Sequence, residues 1–303
     1  MLRLSVLLTV LLAMLALPLR AGDAWTEDFA AAKTKAASEK KDLLLDFTGS
    51  DWCIWCQRLH TEVLNIDTFQ TEAQKHFVLV ELDYPRTKQI APEIRKQNAE
   101  LQKTFAIEGY PSIYLTDEKG RPYARTGYAP GGPEKYLESL EKLRAQRGPR
   151  DEALSKADKA TGVERAKLLD EAMQGLAANG IRVGYGDLMA EIPKLDKDNA
   201  AGLKKKYEVI AKYNETMGSM NSTEPTALLA KIDDLLKETT GLRPENRQDL
   251  LFVKANIFAS KKDMPNAIAA LKESKAAAPE SERATMIDQI LANIAKQQAA
   301  PKP

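Results

Sequence analysis

Cys53 and Cys56 are the only cysteines in this 303-residue chain, and they follow directly on an apolar run and a turn, Leu43-Leu44-Leu45-Asp46-Phe47-Thr48-Gly49-Ser50-Asp51. The run reads as a buried strand, because it is short, almost wholly apolar and closed by a glycine-containing turn. The stretch after it reads as a helix opening near Cys53. The first sulfur then lies at a helix amino terminus, where unpaired backbone N–H groups and the helix dipole favour thiolate over thiol. Cys56 falls one turn further on and on the same side, placed to attack a mixed disulfide formed at Cys53. A structural bridge is the blander reading, but so short a loop restrains an unfolded chain little.

Other uses of a CxxC pair find few partners. The chain holds only two histidines, His60 and His76, and His60 alone lies near enough to join the cysteines, one ligand short of a structural zinc site. Haem attachment needs histidine directly after the second cysteine, and Gln57 stands there. No metal and no dissociable cofactor is expected, the redox-active group being the Cys53-Cys56 disulfide itself. His60 reads as a surface helix residue, and Trp52 and Trp55 as an apolar rim where substrate docks.

Around this motif the pattern alternates. A helix capped by Thr26 runs to about Glu39, the strand Leu43 to Phe47 follows, and then the cysteine helix. Phe77 to Leu82 is a second apolar β run, Asn98 to Phe105 is helical, and Pro111 to Leu115 is a strand. Asp117-Glu118-Lys119-Gly120 turns the chain back along Tyr123 to Thr126. Pro133 opens a last helix to about Leu143. This predicts one mixed sheet with helices on both faces over residues 25–147.

Composition then shifts, from a half that holds all three tryptophans to one rich in Ala, Lys, Leu and Glu. Gly148-Pro149 reads as the joint, and residues 151–298 as an all-α helical array. Within it Ala255, Phe258, Ala267, Leu271 and Pro279 stand at tetratricopeptide-like spacings, with Asp263-Met264-Pro265 as the turn and no clear second copy. Residues 299–303 read as a disordered tail. At the other end Arg3 precedes an apolar run, Leu4 to Leu17, shorter than the roughly 20 residues a bilayer needs. Residues 1–21 therefore read as a secretory signal, cut after Ala21 or Ala24.

Asp46-Phe47, then Trp52-Cys53-x-x-Cys56, then Gly109-Tyr110-Pro111 resemble landmarks of the thioredoxin superfamily over residues 25 to 145. Ser50-Asp51-Trp52-Cys53 and the helix Gln57 to Val63 bring the likeness nearest to exported bacterial thioredoxin-like proteins. These include the carboxy-terminal domain of the membrane thiol:disulfide interchange protein. The resemblance implies a thioredoxin fold, with Pro111 as a cis proline facing the disulfide. It also implies that Tyr110 offers backbone groups to an extended substrate and that Asp46 is the buried acid that helps deprotonate Cys56. Two features depart from the pattern: one extra residue separates Asp46 from Cys53, and Ile54-Trp55 replaces Gly-Pro.

These observations together lead to an exported, periplasmic or secreted thiol-disulfide oxidoreductase that reduces or isomerises client disulfides. Its expected partners are client proteins with thiols or disulfides, a membrane thiol-disulfide reductase, and a protein that binds the helical half. The alternative is a scaffold protein with a structural disulfide and a partner-binding helical half. Lys plus Arg number 44 against 43 Asp plus Glu, so no net charge draws the chain to nucleic acid.

Overall fold

The computed structural model describes residues 24–238 and 240–299. The expected leader, residues 1–21, and most of the expected tail, residues 300–303, lie outside them. The chain divides into two compact units, one of residues up to Arg147 together with 179–184, the other of 148–178 and the residues from Tyr185.

The first unit begins with β1 (Trp25–Thr26), α1 (Phe29–Glu39), β2 (Asp42–Thr48) and α2 (Ile54–Leu59), which continues as a π-helical turn, His60–Leu64. It goes on through α3 (Asp67–Ala73), β3 (Phe77–Asp83), α4 (Pro92–Thr104), β4 (Ser112–Thr116), β5 (Pro122–Thr126) and α5 (Gly132–Arg144). The five strands form one sheet in the order β1-β3-β2-β4-β5. β1 and β2 run parallel to β3, while β4 is antiparallel to both β2 and β5. The expected mixed sheet is present.

β2 lies at the centre of that sheet and is buried along its whole length. Alternation along a strand sends Leu44 and Asp46 to one face and Leu43, Leu45 and Phe47 to the other. Leu44 joins a core made with Leu59, Val63 and Leu64 of the cysteine helix, Leu79, Ile113 and Leu115 of the sheet, and Tyr136 and Leu140 of α5. On the opposite face Phe47 packs against Phe105 and Tyr114, with ring centroids 5.2 and 5.8 Å away. Each such apolar side chain contributes about 1.5–3 kcal/mol when buried. Asp46 is the exception in this setting, a carboxylate in the middle of a wholly buried strand.

Several boundaries differ from the sequence reading. α1 is capped by Asp28, whose carboxylate accepts the Ala31 N–H at 2.9 Å; Thr26 instead lies in β1. α4 starts at Pro92, before the expected Asn98, because proline suits a first helical turn and the polar residues after it face solvent. α3 was not expected. The helix read through Val63 changes to π geometry at His60, an irregularity found frequently at functional sites.

The second unit consists, among the described residues, of helices with no strand. They are α6 (Arg147–Asp158), α7 (Gly162–Ala178), α8 (Gly186–Leu195), α9 (Leu203–Gly218), α10 (Pro225–Leu236), α11 (Pro244–Ser260), α12 (Met264–Ala277) and α13 (Glu282–Ala299). Gly148 and Pro149, read as a break, lie in the first turn of α6, where proline's missing N–H has no partner to lose. α11 and α12 form the hairpin foreseen around residue 263, but Asp263 is its N-cap and Pro265 is already helical. Ala255, Ala267 and Leu271 are buried, whereas Pro279 is exposed.

Candidate active site

The turn before the cysteines is held by two carboxylates. Ser50 donates its N–H and its hydroxyl to Asp83, at 2.9 and 2.6 Å. Asp51 accepts the backbone N–H groups of Arg86, Thr87 and Lys88 and the Thr87 hydroxyl, which ties the loop after β3 to the turn after β2. The Thr87 hydroxyl first, then those amides, hold the Asp51 carboxyl well below the usual carboxylate range.

Cys53 is the N-cap of α2, in extended conformation, and its sulfur accepts the Cys56 N–H at 3.2 Å. A backbone donor thus points at Cys53 Sγ, as expected from a helix that opens there. The two sulfurs are joined in a disulfide. Cys53 keeps 7 % of its surface exposed and Cys56 none, so an incoming group meets Cys53 first.

The indoles occupy separate clusters. Trp52 donates from Nε1 to the Tyr84 carbonyl at 2.8 Å, meets Tyr110 edge-on at 5.5 Å, and carries the Arg86 guanidinium 4.2 Å above its ring. Trp55 is 49 % exposed, beside Ile54 at 62 %. Its ring tilts against Tyr128 at 5.2 Å, and the Arg58 guanidinium lies 5.2 Å from both rings. Glu62 completes that group, accepting from the Tyr128 hydroxyl and from Arg58 Nε at 2.8 and 2.9 Å. The Tyr110-Pro111 peptide is cis, as the resemblance implied. The Tyr110 hydroxyl is held by Gln102 at 2.7 Å.

Asp46 is fully buried, and its Oδ2 lies 2.7 Å from His60 Nε2. Its Oδ1 is buried and has no hydrogen-bond partner among the described residues. Burial pushes the Asp46 carboxyl up, opposed by the His60 hydrogen bond and charge. For His60, burial works against the charged ring, but the Asp46 hydrogen bond and the charges of Asp46, Glu81 and Asp83 outweigh it and raise the imidazole. His60 is therefore no surface residue: the helix turn after Cys56 brings it over β2, and Trp25 stacks on it with centroids 6.5 Å apart. Glu81 is Asp46's direct neighbour on β3, and burial raises its carboxyl too. The sequence reading missed Glu81 and Asp83. The signal for Glu81 was a carboxylate interrupting an apolar strand, at the position paired with Asp46; Asp83 closes that strand opposite Thr48.

Among the described residues no group of three or more His, Cys, Asp or Glu is arranged to hold a metal ion. Residues 29–144 match the family model of a thioredoxin-like domain. The chain is 32 % identical over 123 residues to the disulfide bond reductase DsbH of Chlamydia pneumoniae, a match covering 41 % of this chain and 74 % of the relative. It belongs to the thioredoxin superfamily. The thioredoxin-like unit, with its Cys53-Cys56 pair, is a thiol-disulfide oxidoreductase. The thioredoxin-related protein DsbJ of the same organism is 33 % identical over 103 residues, covering 34 % of this chain and 30 % of DsbJ. Among solved structures, DsbH oxidoreductase matches at 32 % identity over 39 % of this chain and 82 % of its own, with a TM-score of 0.38. The oxidised carboxy-terminal domain of Neisseria meningitidis DsbD matches at 23 % identity over 38 % and 90 %, with a TM-score of 0.27.

Proposed function

We propose that this protein reduces disulfides in exported client proteins, with Cys53 as nucleophile and Cys56 as resolver. The observation that carries this reading is the asymmetry of the pair: Cys53 is reachable and receives a helix-terminal N–H, whereas Cys56 is sealed beneath it. The helix terminus favours the thiolate by about 0.3–1 kcal/mol, and the hydrogen bond from Cys56 N–H adds to it. Cys53 thiolate attacks a client disulfide, one client sulfur leaves as thiolate, and Cys56 then displaces the other as the Cys53-Cys56 disulfide re-forms. Tyr110 and Pro111 would line the client segment, with Trp52 and the exposed Ile54 and Trp55 as apolar contacts, and Asp46 would take the Cys56 proton. A relative named as a disulfide bond reductase supports this direction of exchange. Export rests on the apolar leader, and reduction of the spent disulfide is assigned to a membrane thiol-disulfide reductase.

The test is the Cys56→Ser variant. It should accumulate mixed disulfides with clients, visible on non-reducing gels and lost when Cys53 is also replaced; their absence under mild oxidation would count against exchange. The reduction potential separates this reading from a structural bridge, which sits below about -300 mV.

A further inference from the structure

His60 links the two buried groups of the site. Its backbone N–H donates to the Cys56 carbonyl one helical turn back, while its ring reaches Asp46 on the strand below. When Asp46 is ionised it only accepts hydrogen bonds, and the proton of the 2.7 Å contact then belongs to Nε2. That leaves Asp46 Oδ1 as a buried acceptor with nothing bound to it. Trp25 covers the imidazole, so water does not compete freely for the pair.

We propose that His60 is a positioning residue for disulfide exchange: its Nε2–H keeps the buried Asp46 ionised and holds Oδ2, so that Oδ1 is free to take the proton of Cys56. The inference rests on the resolver role given above to Cys56. In that step the Cys56 S–H bond breaks and its proton passes to Asp46. The Cys56-Cys53 bond forms, and the Cys53–client bond breaks with its electron pair leaving on the client sulfur. The proton then returns to solvent or to the released thiolate. The client disulfide is the only oxidant required.

Without His60, the burial that raises the Asp46 carboxyl is no longer opposed by the hydrogen bond from the ring, so the carboxyl keeps its proton to a higher pH. Asp46 then accepts none from Cys56 until the pH is raised. The other groups facing the pair push the same way or are weakly engaged. Glu81 and Asp83 on β3 are like charges for Asp46, the Tyr136 hydroxyl of α5 feels its charge, and Lys88 is drawn to Asp83 at 3.6 Å. Among those groups His60 is the one side chain in contact with Asp46 that gains a positive charge on protonation.

The full-length reduced protein is mixed with Ellman's reagent, which releases one aromatic thiolate when Cys53 attacks and a second when Cys56 resolves. His60→Gln is expected to leave the first release unchanged and to move the pH midpoint of the second upward. At a pH below that midpoint, each unit of movement is about a tenfold loss of rate. Asp46→Asn should slow the second release and flatten its pH profile, and adding His60→Gln to it should change nothing further. An unshifted midpoint in His60→Gln, or a double variant slowed by the product of the two single effects, overturns the proposal. Loss of the first release in the wild type would instead sink the nucleophile assignment. Should the variants fail to fold, the ring protons of His60 can be titrated by NMR in the native reduced protein. A midpoint raised above the ordinary histidine value supports the pairing, and an ordinary one overturns it.

Discussion

A methyl group at residue 49 would lie 2.5 Å from Cε2 of Trp52, so Gly49 is what lets the indole rest against the turn and reach the Tyr84 carbonyl. Gly49→Ala is expected to displace Trp52 and to destabilise the unit by about 1–3 kcal/mol, the usual cost of overpacking, measured as a lowered denaturant midpoint. Asp51 gives a pH signature. Its folded carboxyl titrates below the unfolded value of about 3.9, so its contribution is complete above that pH and is lost as the pH falls through the folded value. Protection of the Arg86, Thr87 and Lys88 amides, taken relative to their intrinsic exchange rate at each pH, should therefore stay high at pH 5 and fall only in stronger acid. In Asp51→Asn it should be low at both. At this scale the cysteine pair was legible from residue type and spacing, whereas Asp46 entered through the family resemblance, and its full burial is what the structure adds. His60 was misread because its neighbours Arg58 and Glu62 are polar and exposed, and a one-dimensional pattern does not say which residue of a helix turn lies above a strand's carboxylate.

The hairpin of α11 and α12 shows what holds an element pair together in the second unit. Gln248 is buried, donates to the Ala278 carbonyl at 3.0 Å and accepts from Ser281 at 2.7 Å, while its own carbonyl takes the Ser274 hydroxyl at 2.8 Å. Gln248→Ala keeps the backbone bond but leaves the Ala278 carbonyl and the Ser281 hydroxyl without this partner. A loss of about 1–3 kcal/mol is expected, read as a shifted unfolding midpoint of the helical unit with disulfide exchange unchanged. Elements with strong periodicity were legible: β2, β3, the β4–β5 hairpin and α5 lie within a residue or two of their expected bounds. β1 and α3 were not, since two residues of strand carry no period and a seven-residue helix offers barely two turns of one.

On the scale of the whole chain, the switch from mixed sheet to helices was legible from composition, but the assignment of residues 179–184 to the first unit was not. Six residues between two helices carry no pattern that points back to a sheet whose last strand, β5, ends at Thr126. A chain ended after Arg150 loses that segment. It is expected to keep exchange with Ellman's reagent while melting at a lower temperature than the first unit does in the full chain; equal melting would show the segment to be dispensable. The thioredoxin-like unit also holds every tryptophan of the protein: Trp52 directly before Cys53 in sequence, Trp55 between the two cysteines, and Trp25 over His60. An excited indole gives up an electron readily to a nearby disulfide and emits less when it does so. Reduction should brighten the ultraviolet emission of the intact protein, and since the helical unit adds no indole light of its own, the unlabelled chain serves as the optical gauge of its own redox state.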